Sequence, residues 1–385
     1  MFCPLVLASL GIRATHRPHT LLLRRPRAVR LLMTATSAAA ERKRVVFLGT
    51  PDVAARSLEL LLAASAEPQS SFEVAAVVSQ PPAKTGRKMK LTPSPVHALA
   101  AERSLPLFTP PNAKDEEFLC ALEELQPDLM ITAAYGCFLP QRFLDISAFG
   151  TLNVHPSLLP LYRGAAPLQR CLEAGDAVGG VTVAFTVLKM DAGPVLRQQT
   201  RELNGDEQFP ELLMEMFETG TELLIDALPS VWDGSCQATL SAQDDDAATK
   251  AAKVQREEAE LDLGGGSATT AHNRVRAFAG WPGCWCWLQL GDAPPVKAKL
   301  TRTRVADESP DDAAAASSSG RALALAPGGK AVQLGLADGS VLEVLQLTLP
   351  GKKPVDAKAF WNGLNGREAR WLTSAEAEEA ANAAK

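Results

Sequence analysis

The chain has 385 residues, of which 46% are hydrophobic, 22% are charged and 5% are aromatic, and its formal net charge is −5. This composition is typical of globular proteins and excludes collagen-like, coiled-coil and wholly disordered proteins, while the length predicts two or three domains. No apolar run reaches the roughly 18 residues that a membrane helix needs, so we expect no membrane partner. The seven cysteines are scattered without a CxxC motif, which argues against a disulfide framework or a metal site.

The N-terminal segment differs in charge from the rest of the chain. Residues 1–40 contain six Arg, no Lys and no acidic residue, so the remainder carries 33 basic against 44 acidic residues, a net charge of −11. An Arg-rich, acid-free N-terminus that ends in small and hydroxylated residues is typical of an organellar transit peptide. We predict a mitochondrial transit peptide over residues 1–40, with a plastid address or a disordered basic tail as the alternatives.

Short apolar segments alternate with helical stretches over the first half of the chain. The predicted strands cover residues 44–48, 73–79, 129–133, 151–155 and 181–185. Because this alternation is typical of parallel sheets with helices on both faces, we predict an α/β domain over residues 43–235 with a doubly wound, mostly parallel sheet. Neither GxGxxG nor GxxxxGK[ST] occurs, so the motifs of dinucleotide binding and NTP hydrolysis are missing.

The second half has a different pattern, with short alternating strands and frequent turns. Polar and charged residues precede it, so we predict a linker over residues 236–256. The predicted strands at 284–288, 296–300, 331–334 and 341–345 indicate a smaller C-terminal β-barrel domain over residues 257–372. An Ala/Glu-rich tail follows at residues 373–385.

Three polar residues follow predicted strands of the first domain. Asn153 and His155 stand two residues apart at the end of the strand 151–155, so they project from one face. Asp191 stands on a turn that contains Gly and Pro, after the strand 181–185. An amide can donate to a developing oxyanion, and an imidazole can carry protons near neutral pH. The set suits transfer of an acyl group to an amine, although such residues at a strand end are also common as structural groups.

The spacing N-x-H-x-S-L-L-P over residues 153–160 resembles the formyltransferases that use 10-formyltetrahydrofolate. This resemblance implies a Rossmann-like formyltransferase fold and a catalytic role for Asn153, His155 and Asp191. It also implies that folate is a co-substrate, not a tightly bound cofactor. The residues expected to hold the folate form the turn Ser157, Leu158, Leu159 and Pro160.

Further stretches resemble the methionyl-tRNA branch of this family. They include VFLGTP at 46–51, PSPV at 93–96, RGAAPLQ at 163–169, KVQREEA at 253–259 and RAFAGWPG at 276–283. The likeness covers residues 43–372 and implies formyl transfer to the α-amine of methionyl initiator tRNA, for translation initiation in an organelle. Pro156 departs from the branch pattern and matches glycinamide ribonucleotide formyltransferase. The alternatives are transfer to a small amine, such as that ribonucleotide or an amino sugar, hydrolysis of 10-formyltetrahydrofolate, and RNA binding without catalysis.

A basic cluster stands between Pro82 and Pro93. Its members are Lys84, Arg87, Lys88 and Lys90. In an acidic chain such a cluster suits contact with phosphates, and the resemblance implies that this loop contacts the acceptor end of the tRNA, with Arg87 at the best-matched position. The alternative is a solvated charge run. We predict a monomer whose partners are the tRNA and the folate.

Overall fold

The computed structural model describes residues 41–86, 88–306 and 321–383. The transit peptide that we predict over residues 1–40 lies outside the described residues, and so does Arg87. Within the described ranges, none of the helices has both the length and the apolarity required to cross a membrane. Two seven-stranded sheets follow one another along the described chain.

Strands and helices alternate through the first half, as the sequence predicts. The strands are β1 (Lys43–Gly49), β2 (Phe72–Val78), β3 (Ala83–Thr85), β4 (Lys90–Thr92), β5 (Leu107–Phe108), β6 (Leu129–Ala133), β7 (Thr151–His155), β8 (Arg163–Gly164), β9 (Val178–Phe185), β10 (Val195–Glu202) and β11 (Lys250–Ala251). The helices are α1 (Asp52–Ala66), α2 (Pro95–Glu102), α3 (Glu116–Leu125), α4 (Gln141–Leu144), α5 (Pro167–Ala174) and α6 (Phe209–Trp232).

The first sheet has the order β10-β9-β7-β6-β1-β2-β5. The five strands from β7 to β5 run parallel, whereas β9 is antiparallel to β7 and β10 is antiparallel to β9. The predicted mostly parallel sheet is therefore confirmed. Strand β1 is a continuous apolar run because both its faces are buried. Val45 and Phe47 belong to the hydrophobic cluster that includes residues of α1 and α6, and Val46 and Leu48 belong to the cluster that includes residues of α3.

Helix α6 supports the strand on which the predicted site residues lie. It packs against β7 and β9, and Gly220 allows the close approach, because a Cβ added there would lie 2.6 Å from Val154 Cγ1. Protein interiors are packed too densely to absorb such an overlap. A larger residue at position 220 would therefore push the helix away from β7.

The second half forms an antiparallel sheet. Its strands are β12 (Trp285–Leu290), β13 (Val296–Val305), β14 (Ala324–Leu325), β15 (Val332–Gly335), β16 (Val341–Thr348), β17 (Val355–Asp356) and β18 (Ala369–Leu372), with the helices α7 (Ala268–Ala277), α8 (Ala357–Gly363) and α9 (Ser374–Ala383). The order is β14-β15-β16-β13-β12-β18, and β17 pairs with β16. This curled sheet confirms the predicted second, smaller β region, while the residue limits of the two domains and the linker stay predictions.

His272 on α7 connects the two halves. Its Nε2 lies 2.8 Å from the Gly205 carbonyl oxygen, which can only accept, so Nε2 donates. The Nδ1 atom then accepts from the Thr303 hydroxyl at 3.0 Å. Burial lowers the pKa of His272, because the imidazolium loses its hydration. The fold therefore favours the neutral ring.

Candidate active site

Asn153 and His155 lie at the carboxyl end of strand β7, on the side of the sheet where the parallel strands end. The neighbouring residues Leu152 and Val154 are buried in the core of the first half, so the period of two places Asn153 and His155 on the opposite face. Asn153 is half-buried and His155 is only 4% exposed. Ligands of doubly wound sheets bind beyond the carboxyl ends of the strands, which is where these two side chains stand.

The amide of Asn153 is oriented by the next strand. Thr132 on β6 is paired with Asn153 across the two parallel strands. Its hydroxyl donates to Asn153 Oδ1 at 2.7 Å, the nearer of two acceptors, since Leu152 O lies at 3.2 Å. Because Thr132 holds the amide oxygen, the amide NH₂ group of Asn153 points away from Thr132. The side chain is thus set to donate hydrogen bonds at the sheet edge.

The imidazole of His155 is oriented by a main-chain carbonyl. Its Nε2 lies 3.1 Å from Tyr162 O, and a carbonyl oxygen only accepts, so Nε2 bears the hydrogen. In the neutral ring Nδ1 therefore holds the lone pair. Nδ1 lies 3.8 Å from Asp191 Oδ1, longer than a hydrogen bond, so the carboxylate faces the lone pair of the ring without direct bonding to it.

Asp191 is held on a turn of fixed shape between β9 and β10. Its backbone has a left-handed φ of 51°, and its Oδ2 accepts from the Gly164 N–H at 2.9 Å. Gly193 is required two residues later, because a Cβ at that position would lie 1.7 Å from Phe185 O. The carboxylate thus faces His155 because its main chain and one of its oxygens are held.

The predicted folate turn follows His155 directly. The Ser157 hydroxyl donates to Leu161 O at 2.7 Å, and the Leu159 N–H donates to Thr182 Oγ1 at 3.1 Å. Gln198 Nε2 adds a 2.7 Å hydrogen bond to Leu159 O. Leu158 and Pro160 are half-buried, whereas Ser157 and Leu159 are buried. The turn is therefore a rigid wall beside the imidazole.

Comparison with known proteins identifies the family. Residues 43–228 match the formyl transferase family, and residues 253–365 match the family of the formyl transferase C-terminal domain. The methionyl-tRNA formyltransferase of Pseudomonas putida (strain W619) is 37% identical over 330 residues, which cover 86% of this chain and 98% of that relative. The chain belongs to the methionyl-tRNA formyltransferase family. The enzyme of the same name from Chromohalobacter salexigens is 37% identical over 327 residues, 84% of this chain and 94% of that relative.

Solved structures agree on the fold of this formyltransferase. WlaRD, a sugar 3N-formyl transferase whose crystal structure was determined in the presence of dTDP and 5-N-formyl-THF, superimposes with a TM-score of 0.52 at 13% identity. The match covers 81% of this chain and 99% of WlaRD. The predicted formyltransferase fold, with a mostly parallel sheet followed by a smaller β region, is therefore confirmed.

Three residues of the basic cluster of this formyltransferase lie on the hairpin β3–β4. Lys84 and Lys90 stand on its strands and Lys88 in its turn, and all three are exposed. The hairpin follows β2, and the carboxyl ends of the parallel strands β2 and β7 lie on the same side of the sheet. Strand β2 is three positions from β7 in the sheet, a spacing of about 14 Å. The structure therefore brings Asn153, His155 and Asp191 together, while the basic hairpin follows a strand that is three positions away in the sheet.

Several residues that hold this site are not found by sequence reasoning. Thr132, Tyr162 and Gly164 orient Asn153, His155 and Asp191 respectively. Tyr162 and Gly164 act through backbone atoms, which leave no side-chain pattern to find, although Gly164 belongs to the matched stretch 163–169. Gln243 contacts the Asp191 turn from the predicted linker, where its polar neighbours give no signal.

Proposed function

We propose that this formyltransferase transfers the formyl group of 10-formyltetrahydrofolate to the α-amine of methionyl initiator tRNA, using Asn153, His155 and Asp191. One observation supports this assignment above the others. A fixed amide donor and an imidazole stand on one face at the end of β7, and the carboxylate of the β9–β10 turn faces them, with 3.8 Å between His155 Nδ1 and Asp191 Oδ1. Acyl transfer to an amine needs these groups: an oxyanion donor and a proton carrier.

The reaction proceeds by direct attack of the amine. The neutral α-amine forms a bond to the formyl carbon, and the carbonyl oxygen becomes an oxyanion that accepts from the Asn153 amide. His155 Nδ1 takes the proton that the amine loses, and Asp191 stabilises the resulting imidazolium. The bond from the formyl carbon to the folate nitrogen then breaks, and the imidazolium returns the proton to that nitrogen. Tetrahydrofolate and formylmethionyl-tRNA leave.

The folate and the tRNA have separate contact surfaces in this proposal. Because the Ser157 hydroxyl already donates to Leu161 O, the turn 157–160 contacts the folate through the half-buried Leu158 and Pro160. The exposed lysines of the β3–β4 hairpin contact tRNA phosphates, and we assign the same role to Arg87.

The proposal extends to location and assembly. Residues 1–40 direct the protein to the mitochondrion, with the plastid as the alternative, because the segment is rich in Arg and free of acidic residues. We further propose that the protein acts as a monomer. Fusion of residues 1–40 to a fluorescent protein tests the address, and a cytosolic fusion would contradict it. Light scattering of the purified protein measures its mass.

The decisive experiment offers labelled 10-formyltetrahydrofolate with each of four acceptors in parallel. These are methionyl initiator tRNA, glycinamide ribonucleotide, a nucleotide-linked amino sugar, and water alone. We expect label on the tRNA only. Label on a small amine, or formate released without an acceptor, would replace this function with one of the alternatives. Asp191→Asn should form the same product more slowly.

A further inference from the structure

We propose that Gln243 is a positioning residue for the reaction: it fixes the turn that presents Asp191 to His155. Gln243 lies outside the catalytic sheet, 52 residues after Asp191, in the segment predicted as a linker. The inference rests on the proposed role of Asp191, and it gives the linker a part in catalysis besides joining the two halves.

Gln243 holds both ends of the Asp191 turn with one amide group. Its Nε2 donates to Asp191 O at 2.8 Å and to Gly193 O at 2.7 Å. An amide nitrogen has two hydrogens, so both are used on this turn. The contacts span the position where Asp191 adopts its left-handed backbone.

The orientation of the Gln243 amide is itself determined. Its Oε1 accepts from Arg163 Nε at 3.0 Å and from Arg163 Nη2 at 2.8 Å. A guanidinium only donates, so the amide oxygen must face Arg163 and the nitrogen must face the turn. The side chain of Arg163 is 9% exposed, which restricts its movement.

A carboxylate anchors the far side of Arg163. Arg163 Nη1 lies 2.7 Å from Asp245 Oδ1, and Lys189 Nζ lies 2.6 Å from Asp245 Oδ2. Lys189 and Arg163 hold the pKa of the Asp245 carboxyl below its usual range, so it is ionised at neutral pH. The chain of contacts therefore runs from Asp245 through Arg163 and Gln243 to the Asp191 turn.

The backbone around Gln243 is fixed on both sides. Before it, Ser241 and Val195 exchange two hydrogen bonds of 2.8 and 3.0 Å at the start of β10. After it, β11 pairs in parallel with β8, the strand of Arg163 and Gly164. The segment 241–251 thus joins the Asp191 turn to the strand whose Gly164 N–H holds Asp191 Oδ2.

Gln243→Glu isolates the two donated hydrogen bonds. Glutamate has the same shape and still accepts from Arg163, but it offers oxygens to two carbonyls that only accept. We expect kcat to fall roughly 10- to 100-fold, the scale of a small misplacement of a reacting group, with the KM values for folate and tRNA within about twofold of wild type. Gln237→Glu is the matched control, since Gln237 is exposed, and it should behave as wild type.

The Asp191→Asn background separates positioning from a general structural effect. If Gln243 acts through Asp191, then Gln243→Glu should cost less than about twofold in single-turnover formylation by Asp191→Asn. A further loss of the same factor in both backgrounds would overturn the inference while leaving the role of Asp191 intact. Near-full activity of Asp191→Asn alone would instead remove the proposed function of Asp191, and the inference with it.

A second variant covers the case in which Gln243→Glu is poorly folded, as judged by its urea midpoint. Arg163→Lys keeps the positive charge but cannot make the forked contact that orients Gln243 Oε1. It should lower kcat by a smaller factor, again with unchanged KM values and again only when Asp191 is present. An unchanged kcat in Arg163→Lys would count against the proposal.

Discussion

The orientation of the Asn153 amide can be tested by a variant that leaves Asn153 in place. In Thr132→Val the hydroxyl that donates to Asn153 Oδ1 at 2.7 Å is replaced by a methyl group of the same size. Valine is β-branched and suits strand β6, so the sheet should persist. Thr132 is only 5% exposed, which limits replacement of the lost hydrogen bond by water.

The expected size of the effect follows from the hydrogen bond that is removed. A buried hydrogen bond contributes about 1 kcal/mol net, and each 1.36 kcal/mol in the barrier is tenfold in rate, so Thr132→Val should lower kcat about fivefold. Asn153→Ala, which removes the oxyanion donor itself, should lower kcat on the order of 100- to 1,000-fold. The double variant should be no slower than Asn153→Ala, because Thr132 then has no amide to orient.

The assay is single-turnover formylation of methionyl-tRNA with saturating 10-formyltetrahydrofolate, accompanied by urea unfolding of each variant. Thr200→Val serves as the control, since Thr200 is an exposed residue of β10 in the same sheet. A Thr132→Val enzyme as fast as wild type would show that the hydroxyl does not orient the amide. Near-wild-type turnover in Asn153→Ala would refute the oxyanion assignment itself.

Three further predictions concern the turn, the connection between the halves and the hairpin. Gly193→Ala should lower kcat at least tenfold, because its Cβ would overlap Phe185 O. Gly363→Ala is the control and should be neutral, because position 363 has open space around it. Equal kinetics of the two variants would contradict the steric argument. Burial sets the pKa of His272 below its unfolded value, so its contribution to the free energy of unfolding is complete above about pH 6.5 and is lost as pH falls further. Urea unfolding at pH 7 and pH 5 should therefore show a smaller decrease in the free energy of unfolding for His272→Gln than for wild type. Equal decreases in the two proteins would refute this. Replacing Lys84, Lys88 and Lys90 with Ala should weaken tRNA use and reduce the slope of log kcat/KM against log salt concentration by roughly 2 to 3, without changing the KM for folate. An unchanged slope would show that the hairpin lysines contact solvent and not the tRNA.

The sequence predicts the buried strands of the first sheet well because their apolar runs are continuous. The strands predicted at 129–133 and 151–155 coincide with β6 and β7, and the strand predicted at 181–185 lies within β9. Strand β10 has no such signal, since its sequence VLRQQTRE is mainly polar and exposed at the sheet edge. An edge strand of polar residues forms because a neighbouring strand pairs with it, and no local sequence pattern predicts the antiparallel pairing of β10 with β9.

The catalytic side chains of the site can likewise be predicted from local sequence, whereas the groups that orient them cannot. Asn153, His155 and Asp191 can be singled out because their side-chain chemistry and spacing are visible in the sequence. The groups that orient His155 and Asp191 are a carbonyl of Tyr162 and an N–H of Gly164, and every residue has such groups. Gln243 becomes visible only when the fold brings it back over the turn.

The path of the chain through β11 also sets the order in which the site is completed during synthesis. The ribosome releases the polypeptide from its N-terminus, and domains fold as they emerge, so β7, the Asp191 turn and α6 are exposed before the segment 241–251. A nascent chain that ends after α6 can pair the seven strands of the first sheet, but it lacks the residue that caps the Asp191 and Gly193 carbonyls and the strand that pairs with β8. A truncated product therefore carries an incomplete site, because the Asp191 turn has lost its contact with Gln243.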